Sequence, residues 1–225
     1  MRRKCFNILM LQVKRPEIRS GVDMTRNLNS GQDGASRCEY PLLEEFKNLW
    51  QDAHELWEKH RLTPAFEGYV SGDYAALYRA LADLQGQAWT FLEWGSGLGV
   101  LTIMASRMGF EAYGIETEVT LIDHATDLAQ QYGSEATFAQ GSFIPEDFDI
   151  SFSEEYEINR TVIDMPSGYD AIDMELRDFD VVYGFPWPEE HIFFRTIMKQ
   201  CGNPETLFLS YDARDEISLG RVSDM

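Results

Sequence analysis

Glu93-Trp94-Gly95-Ser96-Gly97-Leu98-Gly99 and the later Glu116 are the residues whose types and spacing could act together in this chain. Glycines at alternate positions remove side chains where a ligand must touch backbone, and they admit the positive φ of a tight turn. A helix that starts from such a loop aims unpaired N–H groups at it, which suits a carboxylate or phosphate. An acid about 20 residues on, at the end of a second strand, suits the paired hydroxyls of a ribose.

The surrounding residues supply the elements that would position these groups. Trp89 to Leu92 is an apolar run that reads as a strand leading into Glu93. Leu98, Leu101, Ile103, Met104 and Met108 repeat at helical spacing, and Gly109 is placed to end that helix. Tyr113 to Ile115 is a second short strand, ending on Glu116. Strand, glycine loop, helix, strand and acid make one βαβ unit with a ligand loop.

Dinucleotide-binding enzymes use Gly-x-Gly-x-x-Gly in such a loop. Here the sixth position is Val100, the third glycine falls one place early, and an acid precedes the first glycine by two residues. Glu-x-Gly-x-Gly-x-Gly resembles the first motif of the class I S-adenosylmethionine-dependent methyltransferases, over roughly residues 65–212. The resemblance implies an α/β fold, a doubly wound and mostly parallel sheet with helices on both faces. It implies S-adenosyl-L-methionine as cofactor, lined by Glu93, Gly95, Ser96, Gly97 and Gly99, with Glu116 on the ribose. At the third strand end, Ala136 to Ala139 lead to Gln140-Gly141-Ser142, where the family usually has an Asp after the glycine. The Ser142 hydroxyl is the expected partner of the adenine there. No metal is expected.

Asp180-Val-Val-Tyr-Gly-Phe-Pro-Trp-Pro-Glu-Glu-His191 reads as the fourth strand and the turn after it. In the resembled family this strand end faces the methyl being transferred. Amino-group methylases often carry Asp/Asn-Pro-Pro-aromatic there; Gly184-Phe185-Pro186-Trp187 keeps the third and fourth features and lacks the polar first one. Tyr183, Pro186 and Trp187 are the candidate catalytic residues. Pro186 has no N–H, so carbonyls dominate the turn and favour a donor as acceptor substrate. An indole face attracts a cationic amine. His191 is either a general base or the first turn of the helix that follows.

The rest of the chain frames this unit. Pro41 is placed to open a helix with Leu42, Leu43, Phe46, Leu49, Trp50, Ala53, Leu56 and Trp57 along one stripe, packed on the domain or acting as a lid. A second helix is expected over about 73–85, capped by Asp73 or Ser71, with Tyr69 before it as a possible contact to the cofactor's edge. Residues 144–178 form an acidic, aromatic insertion, with Ile158 to Ile163 a possible strand and Tyr169 to Leu176 a helix. Thr206 to Tyr211 reads as a fifth strand and residues 216–222 as at most a short sixth, so the final antiparallel pair is reduced. The expected organisation is a basic arm over residues 1–40, packed helices over 41–87 and the cofactor-binding domain over 88–225.

The formal net charge is −19, unevenly spread. Residues 1–37 hold 8 Lys/Arg against 3 Asp/Glu, while the remainder holds 11 against 35. So acidic a body repels phosphate backbones, which disfavours nucleic acid and favours a cationic small-molecule or protein amine as acceptor. No apolar run reaches the roughly 18 residues of a membrane span. Cys5, Cys38 and Cys201 have neither paired spacing nor nearby His, and read as free thiols of a cytoplasmic protein. Two alternatives stand beside the methyltransferase reading: a cofactor-binding domain without catalysis, and a nicotinamide oxidoreductase, which Val100 disfavours.

Overall fold

Six strands form one sheet in the computed structural model, which describes residues 42–149, 151, 158, 160–212 and 216–225. They are β1 (Thr90–Trp94), β2 (Glu111–Glu116), β3 (Thr137–Gln140), β4 (Val181–Gly184), β5 (Leu207–Asp212) and β6 (Glu216–Arg221). Their order is β3-β2-β1-β4-β5-β6. Every pair is parallel except β5 with β6. The chain runs outward from β1 to β3, then returns to β4 on the other side of β1. That reversal leaves a crevice at the carboxyl ends of β1 and β4, where ligands of doubly wound sheets bind.

Alternation along the strands sorts their side chains to two apolar faces, as a sheet covered on both sides requires. Phe91, Val181, Tyr183, Leu207 and Leu209 face one core. Leu92, Trp94, Val182 and Phe208 face the other. The first core is covered by α1 (Leu43–His60), α2 (Tyr74–Leu84), α3 (Val100–Arg107) and α4 (Val119–Gln131). The second is covered by α5 (Tyr169–Ile172) and α6 (His191–Cys201).

Local signals set the helix ends. The Asp73 side chain accepts the Ala76 N–H at 2.9 Å and starts α2. Gly109 takes φ +98° just past α3, a conformation open to glycine without a Cβ penalty. On α1, Leu49 and Ala53 are buried, Trp50 Nε1 donates to Met104 Sδ at 3.2 Å, and Arg107 pairs with Glu45 at 2.9 Å. This helix therefore packs on α3, and none of its residues lines the cavity described below, so the covering role falls instead to residues 64–77.

Three expectations are corrected. Residues 158 and 160–163 form no strand, and the expected helix over 169–176 is the single turn α5 followed by a 3-10 turn, Leu176–Asp178. Strand β6 is fuller than expected, pairing antiparallel with β5 from Asp212↔Glu216 to Leu207↔Arg221. One strand thus stands where a pair is usual. The basic arm and Pro41 lie outside the described residues.

Candidate functional site

A cavity of about 570 Å³ opens at the carboxyl ends of β1, β2 and β4. Its floor is the loop from β1 to α3. There Gly95 N–H and Ser96 N–H both donate to the Ile115 carbonyl, at 2.9 and 3.1 Å, tying the loop to β2. The Gly99 N–H donates to the Ser96 carbonyl at 2.7 Å and closes the turn. Gly95, Gly97 and Gly99 take φ of +65°, +54° and +68°.

The three glycines serve three purposes. A Cβ on Gly95 would meet nothing within 4 Å; this position is open. A Cβ on Gly97 would lie 2.6 Å from the ring of Tyr69, which covers it. A Cβ on Gly99 would lie 2.5 Å from the Phe138 ring and 2.9 Å from Ala125. Gly99 does not line the cavity: it lets α3 pack against β3 and α4.

The acids divide similarly. Glu93 Oε2 accepts from the Thr102 N–H at 2.9 Å and the Thr102 hydroxyl at 2.5 Å, so it binds the first turn of α3. Burial pushes its carboxyl up to about 8, against the lowering effect of the Thr102 bonds, with the Glu116 charge adding to the rise. Glu116 Oε1 accepts from Thr117 N–H, Thr117 Oγ1 and Glu118 N–H at 2.7, 3.1 and 3.0 Å. Its Oε2 accepts only the Gly97 N–H among the described residues, at 2.9 Å. A carboxylate oxygen has about two lone-pair sites, so Oε2 keeps one for a hydroxyl donor. Ser96 lines the cavity; its hydroxyl is buried on the side of Gly114 and has no hydrogen-bond partner among the described residues. Such orphans in native sites call for an explanation, and a ligand is one.

At the roof, Tyr69 and Tyr74 share a hydroxyl hydrogen bond of 3.1 Å, and burial pushes Tyr69 up to about 12. Trp94 stacks on Phe143 with centroids 4.7 Å apart, and Phe194 meets Trp94 edge-on. These three rings form an aromatic wall of the cavity.

Tyr183, Pro186 and Trp187 all line the cavity on the β4 side. Tyr183 is 4% exposed, and burial raises its hydroxyl well above the ordinary tyrosine value. The missing polar residue at Gly184 has a steric reason: a Cβ there would lie 2.9 Å from the ring of Phe194. His191 is the first residue of α6 and does not line the cavity.

Ser142 is corrected. It is 2% exposed and does not line the cavity, although Gly141 beside it does. Its hydroxyl donates to the Val162 carbonyl at 3.1 Å. From the other side, Glu190, itself 1% exposed, accepts from Arg160 N–H at 2.8 Å, Thr161 N–H at 3.2 Å and Thr161 Oγ1 at 2.8 Å. Residues 160–162 are thus a strap held at both ends, and all three line the cavity. The Arg160 guanidinium lies 4.5 Å from the centroid of the Trp187 ring, so one indole face is occupied. Sequence reasoning missed the strap; its trace was the acidic and aromatic character of the insertion.

No family model matches the chain, and no curated protein matches its sequence. Similar solved structures include an RNA methyltransferase from Salinibacter ruber in complex with S-adenosyl-L-homocysteine, at 17% identity and TM-score 0.47, covering 68% of this chain and 94% of that one. Another is the T. thermophilus 16S rRNA N2 G1207 methyltransferase with AdoMet and guanosine, at 18% identity and TM-score 0.41, covering 64% of this chain and 35% of that one. A third is precorrin-6y C5,15-methyltransferase from Geobacter metallireducens GS-15, at 14% identity and TM-score 0.42, covering 64% and 68%.

Proposed function

We propose that this chain is an S-adenosylmethionine-dependent methyltransferase. The observation that carries the reading is the Glu116 carboxylate at the end of β2, bonded to the Gly97 N–H of the glycine loop at the floor of the cavity. The residues present fit that cofactor. Glu116 Oε2 has a lone pair for a ribose hydroxyl, the orphaned Ser96 hydroxyl lacks a partner, and Gly95 leaves its backbone open. Gly99 and Ser142 support the site from behind. The cofactor would supply an electrophilic methyl on a sulfonium.

The chain's own task is then placement. Tyr183, Pro186 and Trp187 line the acceptor side, and the strap over residues 160–162 lines the same cavity. Holding a nucleophile in line at near-attack distance supplies up to roughly 7–11 kcal/mol. For the acceptor, the proline turn supports a nitrogen nucleophile, in a small molecule or a protein amine. Arg160 already occupies one face of Trp187, which supports a nitrogen that is uncharged at working pH over a cationic amine. The test is calorimetric titration with S-adenosylmethionine, S-adenosylhomocysteine and NAD. The expected outcome is a Kd of about 1–100 μM for the first two and no binding of NAD. NAD binding alone would place the chain among nicotinamide enzymes.

A further inference from the structure

We propose that the acceptor is a small aromatic molecule carrying a carboxylate or phosphate, held by the Arg160 guanidinium at the mouth of the cavity. This rests on the methyltransferase reading and deepens it. Five glutamates line the cavity, and Arg160 is the cationic residue among the described lining residues. Its position is built rather than incidental. Buried Glu190 holds the backbone N–H groups of Arg160 and Thr161, and Ser142 holds the carbonyl of Val162.

The guanidinium itself stays available. Arg61, which also lies over an indole, pairs with Glu58 at 3.2 Å, and Arg107, Arg177 and Arg221 pair with acids too. Arg160 is in none of the ion pairs of the described residues. The Arg160 Cζ lies over the Trp187 ring, and a guanidinium held there by its face has an N–H edge that matches a carboxylate or phosphate bidentately. The aromatic wall of Trp94, Phe143 and Phe194 suits a planar body. The cavity's glutamates act on an anion from within a Debye length of about 8–10 Å, so direct pairing with the guanidinium is what offsets them; a nucleic acid would meet the acidic body with every phosphate. The cofactor's own carboxylate is the other source of the same chemistry; Arg160 rides on the β4 side, with Trp187 and α6, rather than on the glycine loop.

The experiment is calorimetry on the full chain in three forms: wild type, Arg160→Met and Arg160→Lys. S-adenosylhomocysteine is titrated first, then benzoate, phenyl phosphate and benzylamine into the saturated protein. The proposal expects cofactor affinity within about twofold in all three, and an anionic probe bound by wild type. Arg160→Met should weaken that probe by about tenfold to a hundredfold, the range for a lost charge-assisted bond, with Arg160→Lys between. Which anion binds decides between carboxylate and phosphate. Binding of benzylamine with neither anion, binding of no probe, or an unchanged Arg160→Met would overturn it. A tenfold loss of cofactor affinity in Arg160→Met, to about a tenth, would assign the guanidinium to the cofactor and also overturn it. Failure of wild type to bind S-adenosylhomocysteine sinks the methyltransferase reading, and this proposal with it.

Discussion

Glu116 Oε2 accepts the N–H of Gly97 at 2.9 Å, so one carboxylate closes the gap between the end of β2 and the glycine loop. The same group bonds Thr117 and Glu118 through Oε1. Glu116→Ala should therefore weaken S-adenosylmethionine binding by about 1.5–3 kcal/mol and lower the melting temperature as well. Glu116→Gln keeps one acceptor oxygen but sets its NH2 against an N–H donor on the other side, so it should recover only part of the stability and less of the affinity. Calorimetry paired with thermal melts separates the two effects; wild-type affinity in Glu116→Ala would move the ribose contact elsewhere.

Ser96 predicts the opposite pairing. Its buried hydroxyl has no partner among the described residues, so Ser96→Ala should leave the stability of the ligand-free protein equal or slightly higher. Cofactor affinity should fall by about 0.5–1.5 kcal/mol, one ordinary hydrogen bond. A clear loss of stability without ligand would mean the hydroxyl serves the fold.

The glycines give a graded test. Gly95→Ala meets open space, so it should cost only the left-handed backbone term of about 1–2 kcal/mol. Gly99→Ala adds a methyl 2.5 Å from the Phe138 ring, and overpacking contributes a further 1–3 kcal/mol, approximately. Urea midpoints read the difference; equal costs would contradict the packing role of Gly99.

Burial raises Glu93 from 4.5 to about 8. Between those values the folded chain binds the proton and the unfolded chain has released it, so stability falls as pH rises through this window. Below about 4.5 the contribution is at its most favourable, and above about 8 the loss is complete. Glu93→Gln keeps an acceptor for Thr102 and cannot ionise. The difference in urea midpoint between wild type and Glu93→Gln should therefore move toward the variant as pH rises from about 5 to 8.5, spanning the window set by burial. A flat difference would show that the carboxyl titrates normally.

Glu190 and Ser142 anchor the strap over residues 160–162 from opposite sides. Glu190→Ala leaves two backbone N–H groups without their acceptor and should cost about 2 kcal/mol or more; Ser142→Ala should cost about 1. Limited trypsin digestion should cleave after Arg160 faster in Glu190→Ala than in wild type. Unchanged cleavage would mean that the carboxylate does not hold the strap.

Local chemistry was legible in the sequence. Glycine spacing, the flanking acids and the apolar periods mark β1, α3 and β2, because turn geometry, capping and period-2 or period-3.6 burial depend on near neighbours along the chain. The same signals fall on the Glu93–Glu116 segment, on the helix begun by Asp73 and on the turn at Pro186. Other facts came only from the tertiary structure. Phe138 turns Gly99 into a packing residue, Phe194 explains the bare Gly184, and Val162 draws off the Ser142 hydroxyl. Glu190 secures Arg160 from 30 residues away, which puts a cation where the sequence suggested a site for one. These contacts join residues far apart in the chain. No local period records them, since they depend on which side chains the finished sheet brings within reach.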